Sequence, residues 1–337
     1  VELSLDPRRN YVFGPNGAGK TSLLEGMFVL GRGRSFRTRQ IRRLVRHGED
    51  GFAVFGAVDG EATRQLGVAY REGRLEKKID GTPANGMAEL AEILPVHALD
   101  PSMHALVEGG PSERRRFLDW GVFHVEHGYL EAWKRYRRVL SQRNAALKRA
   151  GSSTELRPWS LELVEAAAAV EASRRRYIER LGREVEVVGR RLLERPLTLD
   201  YRRGWPDREA FADWLEASEA EDREQGTTTA GPHRAELVLR LDGRRVQDEA
   251  SRGQQKLTAA ALILAQVAVE GTLRSPRSLV VVDDPAAELD GESLERLLAA
   301  MTDLPAQLVF TALTPRHLPP APERPVFHVE QGEVRTV

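Results

Sequence analysis

Three short stretches hold residue types that could do chemistry together. The first is GPNGAGKT, Gly14 to Thr21. It fits the pattern G-x-x-x-x-G-K-[ST], whose glycines let a backbone curl until its N–H groups point inward at an anion. YVF precedes it and SLLEGMFVL follows, so a strand should feed the loop and a helix should leave it. The start of that helix adds positive potential. In such a cradle Gly14, Asn16, Gly17, Ala18, Gly19 and Ser22 surround the phosphates of a nucleotide. Lys20 reaches the β- and γ-phosphates, and Thr21 ligates Mg²⁺.

The second stretch is LVVVDD, an apolar run ending in Asp283 and Asp284. Alone, it is a strand leaving the core. Beside a phosphate loop it supplies the second anchor that Mg²⁺ needs. Asp283 is expected to hold the ion directly or through water, and Asp284 to orient or deprotonate an attacking water. Asp283, Asp284 and Lys20 are therefore the candidate catalytic groups.

The third is SRGQQK, Ser251 to Lys256. Ser251 is a good N-cap, and 254–270 looks helical. A hydroxyl, the Gly253 N–H and a helix start make a second anion site. The first cradle already has its own amides. The economical use of the second is the γ-phosphate of ATP held by another copy, in a head-to-tail, twofold-symmetric dimer.

These stretches need elements to carry them. Up to about residue 105, short apolar runs alternate with turns: GFAVFGAVDG (51–60), RQLGVAY (64–70) and KKIDG (77–81) read as strands of a mixed sheet. The phosphate-loop helix runs from Lys20 to about Leu30. From Ser112 the texture becomes helical, with few breakers before Gly151. Leu130, Trp133, Tyr136, Leu140, Asn144 and Leu147 suit one face. After the loop 151–158, a second long helix is expected over about 159–194, with Ile178, Leu181, Val185, Val188 and Leu192 forming a coiled-coil-like seam. Together they read as a short antiparallel hairpin lobe. Runs of three arginines at 114–116 and 174–176 read first as a solvated face. An acidic stretch (207–225) and GTTTAG follow. Strand patterns return in AELVLRLDG (235–243), SLVVVDD and AQLVF (306–310), and are expected to complete the first sheet. The fold class is then α/β, with residues 1–110 and 230–337 forming one domain and 111–229 a helical insertion.

Composition narrows the alternatives. The 337 residues contain no Cys, which excludes disulfides and cysteine chemistry and fits a reducing compartment. No run of 18 apolar residues spans a membrane, and no signal-peptide pattern opens the chain. The start at Val1, almost inside a strand, leads us to expect preceding residues. Net charge is zero, so a polyanion-binding surface would have to be a local patch. Of the 50 basic residues only six are Lys. Codon bias accounts for that blandly, although Arg suits bidentate phosphate contacts.

The order of phosphate loop, SRGQQK, strand ending in DD and AELD (287–290) resembles the ABC-type ATPase heads of the SMC and Rad50 group. Within that group GRGRSFR (31–37), GGPSERRRFLDWGVFH (109–124), QRNAAL (142–147) and GPHRAEL (231–237) resemble the RecF family of bacterial recombination mediators. The resemblance covers nearly the whole chain. It implies an ABC-type P-loop head with a helical arm, in the cytoplasm and associated with the nucleoid. It also implies ATP-induced homodimerisation, binding to DNA at gaps or single-strand/double-strand junctions, slow ATP hydrolysis, and the partners RecR and RecO in loading recombinase. By position it makes Ser251, Arg252, Gly253 and Gln254 the signature that meets ATP in trans. It puts Asp290 in a loop communicating across the interface. A Q-loop equivalent falls near 97–101, where no Gln stands, so His97 is carried weakly. Thr311 is the nearest match to a switch histidine. The Arg32, Arg34 and Arg37 loop is open between DNA, nucleotide and ordinary surface roles. His233 and Arg234 receive no assigned chemistry.

Other classes share parts of this pattern. A transporter's energy-coupling subunit would share the core motifs, but the missing switch His and the insertion argue against it. An SMC-like tether would need longer helices. A nuclease would need a dedicated metal cluster.

Overall fold

The run LVVV, in the strand Ser278–Val282, sits inside a sheet, and its uninterrupted hydrophobicity follows from that position. In the computed structural model, which describes residues 1–149, 152–272, 278–315 and 325–337, this strand is flanked by parallel neighbours and all five of its residues are buried. Parallel strands covered on both faces carry continuous rather than alternating apolar residues. The chain divides into two compact units: Val1–His104 with Lys256–Val337, and Ala105–Gln255.

In the first unit the strands are β1 (Arg9–Phe13), β2 (Phe52–Val58), β3 (Arg64–Arg71), β4 (Arg74–Ile79), β5 (Thr82–Pro83) and β6 (Val96–Leu99). After the second unit, which holds β7 (Leu197–Arg202), β8 (Glu236–Leu241) and β9 (Arg244–Arg245), come β10 (Ser278–Val282), β11 (Ala306–Ala312), β12 (Val326–Glu330) and β13 (Glu333–Thr336). The six-stranded sheet has the order β13-β12-β1-β11-β10-β6, parallel except for β13. The predicted mixed sheet is in fact two. β2, β3, β4 and β5 form a separate antiparallel sheet. The alternating burial of β2 and β4 suits strands with one wet face, whereas β10 could not be placed there.

Helix α1 (Lys20–Arg32) ends on Gly33, in the left-handed conformation. It buries Leu24, Phe28 and Val29 in a core shared with Val12, Val96, Val281 and Val309. A Cβ on Gly31 would lie 2.4 Å from the Leu94 carbonyl oxygen, so only glycine permits this close approach to the segment leading into β6. Helix α2 (Met87–Ile93) precedes β6.

The second unit starts with α3 (Ala105–Glu108) and α4 (Pro111–Val125). The expected unbroken helix to Gly151 is two helices. Gly128, at φ 79°, starts α5 (Tyr129–Lys148) after a break. Helix α6 (Ser153–Leu193) begins before the predicted 159. Ser152 and Glu155 form a reciprocal capping box, which sets the start upstream of Pro158. Leu181, Val185, Val188 and Leu192 are buried as the seam predicted, but Tyr177 rather than Ile178 continues it inward. Helices α7 (Phe211–Ala217) and α8 (Glu219–Gln225) follow β7.

The strand 236–241 does not complete the first sheet. It pairs with β7 and β9 inside the second unit. The compact units therefore divide at 105 and 256, where the sequence suggested 111 and 230. Helices α9 (Val246–Glu249), α10 (Arg252–Gly271), α11 (Pro285–Glu288) and α12 (Gly291–Met301) complete the order.

The arginine runs are not uniformly solvated either. Arg114 and Arg174 are buried. Arg114 binds Glu236 at 2.8 and 3.1 Å, and Arg174 binds Asp119 at 2.7 and 3.0 Å.

Candidate functional site

The site lies at the carboxyl ends of β1, β11 and β10, the side on which parallel α/β sheets gather their ligands. The loop leaving β1 is tied to its neighbours. Gly14 donates its N–H to the Ala312 carbonyl at 3.3 Å, and the Ala18 carbonyl accepts from Gly332 at 2.9 Å. A Cβ on Gly14 would come within 2.1 Å of the Val329 carbonyl oxygen. The strand pair β12–β13 therefore buttresses the phosphate loop. Its last residues drew no attention in the sequence, although VFHVEQGEV has the alternation and turn of a hairpin.

Lys20 is buried and folds back on its own loop, donating to the Gly14 and Pro15 carbonyls at 2.7 and 3.0 Å. These are neutral acceptors, and among the described residues no carboxylate pairs with the ammonium. Gly17 and Gly19, both at positive φ, shape the curl, while Asn16, Gly17 and Ser22 are exposed. Ala18 is buried.

The Thr21 hydroxyl meets both oxygens of Asp283, at 3.0 and 3.1 Å, across 262 residues of chain. A hydroxyl and a carboxylate converging at the end of a phosphate cradle are hard oxygen donors. They fit Mg²⁺, which takes one or two protein oxygens and fills its shell with phosphate and water.

Thr311, at the end of β11, organises the acid pair. Its hydroxyl lies 2.8 Å from Asp283 Oδ1 and accepts the Asp284 N–H at 3.0 Å. Asp284 itself is left-handed, at φ 43° and ψ 60°, and caps α11. A non-glycine residue rarely holds that conformation unless its surroundings impose it.

Sequence reasoning missed Asp100. It follows β6 directly, is buried, and accepts from the Ser102 N–H at 2.8 Å. Burial raises its carboxyl pKa, and the nearby charge of Asp283 pushes in the same direction. HALD has the same signal as LVVVDD, a strand ending in an acid. His97, the residue that the resemblance carried weakly to this stretch, lies elsewhere. Its ring is buried three residues earlier, 2.8 Å from Glu270, which also accepts from Ser278 at the opposite end of β10. It does not join Lys20, Thr21 and Asp283.

Glu25, within α1, is buried and accepts from the Ser35 hydroxyl of the loop that follows, which in turn accepts the N–H groups of Arg37 and Thr38. Arg32 donates to the Val96 carbonyl at 2.9 Å, and burial lowers its pKa well below the usual value.

SRGQQK forms the expected helix start. The Ser251 hydroxyl accepts from Gln254 N–H at 3.3 Å, and Gln254 Oε1 accepts from Ser251 N–H at 3.0 Å. This reciprocal cap leaves Ser251, Arg252 and Gly253 exposed, and Gly253 has open space where a Cβ would sit. Asp290 caps α12, accepting from Ser293 N–H at 2.9 Å. That bond, with the Ser293 hydroxyl, holds its pKa below the usual carboxylate value.

His233 has a structural setting. Tyr136 and the Thr228 carbonyl lie 2.6 and 3.0 Å from its two nitrogens. Among the described residues no group of three or more His, Cys, Asp or Glu could hold a metal, and no helix is long and apolar enough to cross a membrane.

Residues 1–334 match the family model described as the RecF/RecN/SMC N terminal domain. The DNA replication and repair protein RecF of Erwinia tasmaniensis is 37% identical over 340 residues, covering 99% of this chain and 94% of the relative. Its counterpart from Klebsiella pneumoniae is also 37% identical, with 99% and 95% covered. A solved structure of the recombination mediator RecF-ATP in the RecFOR pathway superposes with a TM-score of 0.87 at 23% identity, covering 99% of this chain and 93% of that one. An SMC head bound to the C-winged helix domain of ScpA gives 0.58 at 15%, covering 99% and 91%. The fold is that of an SMC-type P-loop ATPase head, and by sequence the chain belongs to the RecF family of DNA replication and repair proteins.

Proposed function

We propose that the chain is an ATP-gated DNA-binding dimer acting in recombinational repair and replication-gap processing. The observation that carries this reading is the Thr21–Asp283 contact, which joins the phosphate loop to the acid-ended strand. The proteins it resembles are DNA replication and repair proteins, one of them solved as RecF-ATP in the RecFOR pathway.

The residues divide the work. Amides of Gly17, Gly19 and Lys20 surround the phosphates, and Lys20 exchanges two carbonyls for phosphate oxygens. Thr21 and Asp283 would hold Mg²⁺, which would neutralise charge on the phosphates. Asp284 orients water for attack on the γ-phosphorus, giving ADP and phosphate. Asp284 is one methylene shorter than the Glu usual in ABC heads, which favours slow turnover suited to a timer. Ser251 and Gly253 of one copy meet the γ-phosphate held by another, so ATP binding energy becomes dimerisation energy. Hydrolysis removes the bridge. RecR and RecO are the partners this reading implies, at gaps or single-strand/double-strand junctions.

The test is anisotropy of a labelled gapped duplex with ATP–Mg²⁺, with no nucleotide, and with Lys20→Met. Binding only by the wild type with ATP supports the reading. Equal binding under all three conditions contradicts the gating.

A further inference from the structure

A groove of about 660 Å³ lies in the second unit between α4 and α5. Ser112, Arg115 and Arg116 line it from α4, and Trp133, Arg137 and Lys148 from α5. Positions 137, 141, 144 and 148 follow one another along a single helix face, so Ser141 and Asn144 continue that wall.

The other cations of α5 are committed to carboxylates. Lys134 pairs with Glu131, Arg135 with Glu162 and Glu165, Arg138 with Glu162, and Arg143 with Asp222. Arg137 and Lys148 pair with no carboxylate among the described residues, and both are exposed. Arg115 spends one guanidinium N–H on the Ala235 carbonyl at 2.7 Å, and Arg116 reaches Glu113. The acid in the lining, Asp119, is already held by Arg174. Arg115, Arg137 and Lys148 are thus left without a paired carboxylate among the described residues, and they share the groove with the apolar Trp133 and Leu140.

We propose that this groove docks an acidic segment of another protein, with its carboxylates on Arg115, Arg137 and Lys148 and an apolar side chain against Trp133 and Leu140. Nucleic acid is the weaker fit. Interfaces with nucleic acid are more polar than this apolar pair, and single strands bind by stacking bases on aromatic rings. The Trp133 ring is already engaged by Arg174 at 5.3 Å, Arg137 at 6.0 Å, Tyr136 at 5.6 Å and Tyr129 at 6.5 Å. The proposed segment needs the head groups of Arg115, Arg137 and Lys148 for its carboxylates, and for its apolar side chain only the part of half-buried Trp133 that lines the groove, not the free ring face that base stacking requires.

The experiment titrates the full chain into a short fluorescein-labelled peptide of aspartate and leucine and follows anisotropy. The wild type binds saturably, and a lysine–leucine peptide does not. Joint Arg137→Glu and Lys148→Glu weakens binding at least about tenfold, while melting temperature and ATP binding stay unchanged. Arg137→Gln alone gives a smaller loss in the same direction. Lys20→Met leaves peptide binding intact, which separates this groove from the nucleotide site. The proposal is overturned if the peptide fails to saturate, if the double variant binds it as well as wild type, or if a single-stranded oligonucleotide occupies the groove while the peptide does not.

Discussion

Charged side chains are buried in both units, with different partners. At the strand ends of the first unit, Lys20 donates to two loop carbonyls, and Thr21 and Asp283 hold one another. A ligand can take over each of those contacts. In the second unit, Arg143 and Asp222 are both fully buried and 2.6 Å apart, with Thr228 2.7 Å from the same nitrogen. Arg114 and Arg174 are fixed in the same manner, by a carboxylate and by backbone carbonyls. Burial and charge alone do not mark a site. The partner does: an exchangeable neutral oxygen leaves a cation poised, whereas a buried carboxylate makes it part of the frame.

The sharpest way to break this contrast is to remove one cation from each class. Lys20→Met is expected to weaken ATP binding by about 2–5 kcal/mol, at least ~30-fold, with little change in unfolding temperature. Calorimetric titration and a thermal melt of the same sample check both halves. Arg143→Met is expected to do the reverse. Leaving Asp222 buried without its cation costs about 3–5 kcal/mol of stability, while ATP affinity per folded molecule is retained. Denaturant unfolding measures the first quantity. If Lys20→Met proves the more destabilising of the two, the distinction is wrong.

A smaller effect comes from His233. Burial holds its imidazole pKa down to about 4, against an ordinary 6.5. The unfolded chain therefore binds a proton that the folded chain refuses between those values. The stability involved is fully present above pH 6.5 and is lost as pH falls toward 4, up to about 3 kcal/mol. Melting temperatures across that range should fall more steeply for wild type than for His233→Asn. Parallel slopes would remove His233 from the frame.

The smallest effect concerns caps. Ser152→Ala should cost about 1 kcal/mol of stability without touching ATP binding. Ser251→Ala, at the same kind of capping box, should cost stability similarly and also weaken ATP-dependent association. Equal behaviour of the two caps would leave Ser251 as an ordinary helix start.

The phosphate loop, the acid-ended strand and the signature helix were legible because each is a local pattern whose geometry follows from neighbouring residues. What was hidden depends on distant partners. AELVLRL reads as a strand, but nothing in it says that it pairs with β7 rather than with the first sheet. Pro158 argued for a helix boundary, and the Ser152–Glu155 box overrode it upstream. Gly128 broke a segment that read as one continuous helix. At the site, Asp283 was found because a phosphate loop demanded it. Asp100 lacked such a demand until the fold set it near Asp283. His97 lost its assigned place because the strand register turned its ring toward Glu270.

The central claim is that ATP joins two copies through Lys20 of one and Ser251 of the other. Light scattering of the full chain with and without ATP–Mg²⁺, beside Lys20→Met and Ser251→Arg, tests it most directly. The account predicts that ATP doubles the wild-type mass, that both variants stay monomeric, and that Ser251→Arg still binds ATP. A wild type that stays monomeric with ATP, or that dimerises without it, would contradict the account.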